Sequence, residues 1–176
     1  SITSSFADLG ISKPVLGALS RRGITQPFPI QSLVAADALA GHDLLVQSPT
    51  GSGKTLAFGL PLIERIEPGS GGTGGLVLAP TRELAGQIVD ELHSVAEARR
   101  LRITAVYGGV GFGPQSKAAR RADIIVATPG RALDRALWDD MWADLVTLMR
   151  DGVRVGRIDT VRPEHLPEAM GRAARV

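Results

Sequence analysis

From residue 43 onward, apolar positions fall into two alternating kinds of block. DLLVQ (43–47), LVLA (76–79), RITAVY (102–107) and DIIVA (123–127) are short, nearly unbroken apolar runs. Such runs have the length and β-branched content of strands buried on both faces. The stretches between them carry helical spacing. Leu56, Leu60 and Ile63 follow the first run, with Pro61 inside the series as the expected place for a kink. Leu84, Ile88, Leu92 and Val95 recur at i, i+4, i+8 and i+11, the apolar stripe of an amphipathic helix, with Thr81 as its N-cap. GSGGTGG (69–75) reads as a flexible connector. Strands alternating with helices predict an α/β fold, a parallel sheet flanked by helices. Ligands of such sheets bind beyond the carboxyl ends of the strands.

Composition narrows this picture. The 176 residues, 44% hydrophobic and 22% charged, amount to about one soluble domain. The absence of cysteine excludes disulfides, a thiol nucleophile and a cysteine zinc site. No apolar run is long enough to span a bilayer. The opening SITSSFADLG has neither a basic start nor an apolar core, so no signal peptide is expected and the cytoplasm is the expected compartment. A net charge of +2 permits nucleic acid as a partner without requiring it.

The chemistry begins at SPTGSGKT (48–55), directly after one expected strand and opening one expected helix, the context a phosphate-binding loop requires. Gly51 and Gly53 allow backbone angles and close approach that a side chain would block. Ser48, Pro49, Thr50, Gly51, Ser52 and Gly53 form the loop, whose N–H groups (Pro49 has none) then lie beside a helix N-terminus, whose dipole favours anions. Lys54 reaches for β- and γ-phosphates as a point charge, and Thr55 offers a hydroxyl to Mg²⁺. The strict pattern has glycine where this chain has Ser48.

Four further stretches follow in a fixed order around this loop: GITQPFPIQ (23–31), preceded by Phe6; APTREL (79–84); YGG (107–109); and TPGR (128–131). Together with SPTGSGKT they make residues 4–131 resemble the first RecA-like domain of a DEAD-box RNA helicase. The resemblance implies ATP and Mg²⁺ as ligands and RNA as a partner held through its backbone, without sequence readout. It implies that Gln31 reads the adenine edge with a donor and an acceptor, and that Phe6 and Ile24 pack near that base. Taken alone, Gln31 reads as an ordinary helix-start residue. Pro80, Thr81, Arg82 and Glu83 correspond to one RNA-contacting motif, and Thr128, Pro129, Gly130 and Arg131 to a second. Gly108 and Gly109 would let a phosphate approach the backbone, the plain alternative being a turn. Arg82 sits where a helix dipole disfavours it, which a phosphate, or a neighbouring carboxylate, would offset.

After TPGR the family pattern calls for a strand ending in Asp-Glu-Ala-Asp, and the sequence has none; WDDMWAD (138–144) has helical spacing and no apolar strand before it. The missing carboxylates hold metal and orient water. An arginine finger from a second domain is worth ~10³–10⁵ in rate in related enzymes. Hydrolysis by this chain is therefore expected near background, with a protein partner or a second helicase domain in trans completing the cleft. The incomplete RecA-like sheet is expected to be marginally stable, lacking strands that lie near the phosphate-loop strand in the family.

Residues 136–176 form a separate expectation. Leu137, Met141, Leu145 and Leu148 mark a helical face, followed by an irregular tail with Pro163 and Pro167. This segment resembles part of an endonuclease VIII-type DNA glycosylase and carries none of that family's chemistry. The boundary is expected between Pro129 and Ala136. Three functions stay open on these residues: an ATP- and RNA-binding helicase fragment, a nucleotide-binding regulator without catalysis, and a DNA-repair-related binding module.

Overall fold

The computed structural model describes residues 5–108 and 112–128. Along the chain run α1 (Lys13–Arg21), α2 (Pro29–Ala40), α3 (Lys54–Arg65), β1 (Gly75–Leu78), α4 (Arg82–Ala98), β2 (Ile103–Val106), α5 (Phe112–Ala119) and β3 (Ile124–Ala127). The strands form one parallel sheet in the order β1-β3-β2. In register, Leu78 and Val106 both lie beside Ala127, so the three strands end level with one another.

Central β3 is buried along its whole length, and its side chains alternate between two cores. Ile124 and Val126 face the larger core, with Val15 and Leu19 of α1, Leu60 and Ile63 of α3, and Ile88, Leu92 and Val95 of α4. Ile125 and Ala127 face the smaller one, with Val106, Ala119 and Ala122. Helices on both faces leave this strand no solvent, so its run is apolar without alternation.

The expected amphipathic helix is α4, and Thr81 caps it by accepting a hydrogen bond from the Leu84 amide. Of its expected stripe, Ile88, Leu92 and Val95 are buried, whereas Leu84 in the first turn is exposed and Ala85 takes the buried place. α3 runs unbroken through Pro61 from Lys54 to Arg65, so the expected kink does not end or divide the helix.

The sequence pattern passed over α1, α2 and α5. α2 carries proline at its start and Gly41 at its C-cap, with φ of 87°, the usual asymmetry of helix ends. Helix α1 is held by a partly buried ionic bridge. Glu64 accepts hydrogen bonds from the amide and hydroxyl of Ser12, both at 2.8 Å, and pairs with Arg99 at 3.4 Å. Arg99 in turn donates to the carbonyls of Glu64 and Ile66, so the α1 start, the α3 end and the α4 end meet at one carboxylate.

Two expectations need correction. The apolar run 43–47 is not a strand: residues 42–49 have no regular structure, and Leu44 and Leu45 are exposed. A strand exists by exchanging backbone hydrogen bonds with neighbours, and among the described residues the ladder pairs β1 and β2 only with β3. The connector 69–75 is also less free than its composition suggests. The amides of Gly74 and Gly75 donate to the Asp123 carbonyl, and the Thr73 hydroxyl donates to the Ala122 carbonyl. Asp123 pins the other edge too, its buried carboxylate accepting from the Arg102 amide at 2.7 Å and Nε at 3.2 Å.

Residues 109–111 and 129–176 lie outside the described residues. Gly109, Pro129, Gly130 and Arg131, the expected helical face of Leu137 and the expected boundary between Pro129 and Ala136 fall there.

Candidate nucleotide and nucleic-acid site

The phosphate loop turns on two left-handed glycines, Gly51 with φ of 77° and Gly53 with φ of 80°. Gly53 is the N-cap of α3, and Lys54 is its first residue. Ser52 folds the loop by donating its hydroxyl to the Pro49 carbonyl at 2.7 Å. The Lys54 ammonium donates to the Ser48 and Pro49 carbonyls at 2.7 and 2.6 Å. Its partners are therefore neutral oxygens, which anionic phosphate oxygens would replace with stronger, charge-assisted bonds. Thr55 follows in the first turn of α3 and is partly buried. Among the described residues no group of three or more acidic or imidazole side chains could hold a metal.

Gln31 is buried at the third position of α2. Its Oε1 accepts from the Phe28 amide, and its Nε2 donates to the Gly53 carbonyl, both at 2.9 Å. This completes half of a capping box, because a phenylalanine at the N-cap has no side-chain acceptor for the return bond. It also ties α2 to the phosphate loop. A primary amide has two donors and two acceptor lone pairs, so Gln31 keeps one of each.

A Cβ built on Gly53 would come 2.5 Å from Gln31 Nε2 and 2.5 Å from Phe28 Cδ2. Gly53→Ala therefore meets two obstacles, a left-handed φ that costs about 1–2 kcal/mol and the loss of the Gln31 contact. The variant is expected to melt several degrees lower and to lose most nucleotide binding; a melting curve and affinity matching the unmodified chain would refute the role assigned to this glycine.

Phe6 lies in the interior. Its ring is 3% exposed and belongs to the larger core, with Ile24 packed against the same cluster. Both side chains are therefore packing residues of the wall beside α1 and α3. The turn carrying Phe6 is closed by Ser5, whose amide and hydroxyl donate to Asp8 at 2.8 and 2.7 Å. These bonds hold the Asp8 carboxyl below its ordinary range. A depressed carboxyl favours the fold above that range, and the contribution fades as pH falls through it.

The level strand ends bring the remaining candidates to one edge. Pro80, Thr81, Arg82 and Glu83 follow β1, Gly108 follows β2 and Thr128 follows β3. The ladder continues one step past the strands: Ala79 donates to the Ala127 carbonyl and Thr128 to the Val106 carbonyl. Arg82 and Glu83 are exposed and 3.8 Å apart, a loose surface pair worth little in water. Gly108 is open, with nothing within 4 Å of a Cβ built on it. Beside it Gln115 brackets Tyr107, accepting from its amide and donating to its carbonyl at 3.1 Å each. No periodicity marks Gln115; only the tertiary pairing of α5 with the β2 end shows it. Phe28 was likewise unmarked, although an aromatic residue just before a helix-starting proline is an odd choice for an N-cap.

Residues 28–151 match the DEAD/DEAH box helicase family. Over 170 residues the chain is 35% identical to the DEAD-box ATP-dependent RNA helicase CshA of Bacillus subtilis, covering 96% of this chain and 32% of that protein. It is 44% identical over 134 residues to the RNA helicase CrhR of Synechocystis sp., covering 76% of this chain and 27% of that protein. The crystal structure of a DEAD box protein from the hyperthermophile Methanococcus jannaschii is similar with a TM-score of 0.77 and 29% identity, covering 96% of this chain and 53% of that one. The chain thus spans between a quarter and a third of the length of the curated relatives it matches.

Proposed function

Because the chain belongs to the DEAD/DEAH box helicase family, we propose that it is the ATP- and RNA-binding part of an RNA helicase. The observation that carries this reading is the phosphate loop: two left-handed glycines leading into α3, with Lys54 at its first position. Gly51, Ser52, Gly53 and Lys54 would surround the phosphates, and Thr55 would offer its hydroxyl to Mg²⁺, which would neutralise phosphate charge. The remaining donor and acceptor of Gln31 meet the edge of adenine. Pro80–Glu83, Gly108 and Thr128, on one edge of the sheet, contact the RNA backbone, with Arg131 beyond the described residues taking the role the resemblance implies. RNA as partner fits the cytoplasm, and no helix among the described residues is long and apolar enough to cross a membrane.

Hydrolysis by this chain alone is proposed to stay near background, because the sequence has no Asp-Glu-Ala-Asp strand and the arginine finger would come from a second helicase domain in trans. The test is selective binding. The full chain with Mg²⁺ is expected to bind ATP more tightly than GTP by roughly tenfold, the discrimination of one good bidentate base contact. Gln31→Ala is expected to erase that preference while ATP still binds through its phosphates. Equal affinity for ATP and GTP in the unmodified chain would remove Gln31 as the base reader.

A further inference from the structure

We propose that the ring of Phe28 is a contact surface for the nucleoside half of the bound nucleotide. The inference rests on the nucleotide reading of the phosphate loop and deepens it.

Three observations converge on this ring. Phe28 is the N-cap of α2, a position that favours serine, threonine, aspartate or asparagine because their side chains accept a hydrogen bond from the first turn. Phenylalanine gives up that acceptor, so folding of α2 does not account for it. The ring is also 54% exposed, whereas burial would be the ordinary reason for an aromatic side chain beside a core. Finally, its position is specific. Phe28 Cδ2 lies 2.5 Å from where a Gly53 Cβ would stand, as does Gln31 Nε2. The ring edge therefore rests on the last glycine of the phosphate loop, on the same side as the amide that reads the base.

A nucleotide with its phosphates on residues 51–55 and its base at Gln31 must carry its nucleoside past this ring. Phe6 lies in the core, 3% exposed, and Gln31 beside the loop is buried to the same degree. Among the described residues, Phe28 is the exposed aromatic ring beside Gly53 and Gln31. An exposed phenyl face stacks on a purine or packs against ribose C–H groups, whichever base the nucleotide carries.

The experiment uses the full chain with Phe28→Ser and Phe28→Tyr variants and two ligands, ATP and inorganic tripolyphosphate. Phe28→Ser is expected to weaken ATP binding about tenfold, the fold-change of one aromatic–base stack, and to leave tripolyphosphate binding unchanged. Phe28→Tyr keeps the ring and is expected to bind ATP like the unmodified chain. The melting temperature of Phe28→Ser is expected to hold or rise, since serine is the better N-cap; a merely structural role would lower it instead. Phe28→Ser binding ATP normally, with Lys54→Ala still losing it, overturns the proposal and leaves the nucleotide reading intact. An equal loss of ATP and tripolyphosphate also overturns it, because the ring would then act on the loop and not on the nucleoside. If the unmodified chain and Lys54→Ala bind ATP alike, the nucleotide reading itself fails and the proposal falls with it.

Discussion

Lys54→Ala is expected to lower the affinity of the full chain for ATP by on the order of 100-fold, with little change in thermal stability. The estimate follows from the value of a hydrogen bond to a charged group, about 1.5–3 kcal/mol, applied to an ammonium that meets anionic phosphate oxygens. In the structure those donors go to the Ser48 and Pro49 carbonyls. Binding exchanges two neutral acceptors for charged ones, and that difference is what alanine removes. Stability has little to lose, because a cation in the first turn of α3 opposes the helix dipole. Equilibrium titration with labelled ATP, alongside a melting curve, checks both halves. Equal binding by variant and parent would withdraw the phosphate site; a collapsed melting curve would show that the loop carbonyls depend on Lys54 for folding.

Leu92→Ala is the second large effect, and it acts on the fold. Leu92 is fully buried in the larger core. Its side chain fills the space that a Cβ on Gly59 would occupy, so α3 and α4 approach closely at this pair. Truncation leaves a cavity between two helices that cannot easily close it, at a cost of about 2–5 kcal/mol. For a chain of this size the melting temperature is expected to fall by about 10 °C. Gly59→Ala should also destabilise, by forcing Leu92 out of the same space. Unaltered melting in both variants would mean that the α3–α4 contact contributes nothing to holding the sheet's cover in place.

The legible parts of this molecule are those whose signal is local. The run IIVA is buried on every position, and its composition already excluded a solvent face. Thr81 caps α4 as its type and place foretold. The helix after the phosphate loop starts at Lys54 because two glycines supply the left-handed turns there. The illegible parts depend on partners distant in sequence. DLLVQ has the composition of a strand, yet no described strand lies beside it, and its leucines stay exposed. Leu84 belongs to the apolar stripe of α4 by spacing, yet it stays exposed in the first turn while Ala85 is buried. The Ser12–Glu64–Arg99 bridge joins three helix ends that no window of sequence compares.

The candidate site divides the same way. Residue order and spacing determined the α/β class and marked the phosphate loop, because glycine angles, helix periodicity and capping are properties of neighbouring residues, while the motifs after the strands were legible through the family resemblance. Tertiary structure decided the rest. It ordered the strands β1-β3-β2 and levelled their ends, which places Pro80–Glu83, Gly108 and Thr128 on one edge. It committed Phe6 to the core and left Phe28 open against Gly53. It joined Gln31 to a carbonyl 22 residues away. These outcomes rest on burial and on hydrogen bonds between distant segments, energies that exist only after the chain has closed on itself.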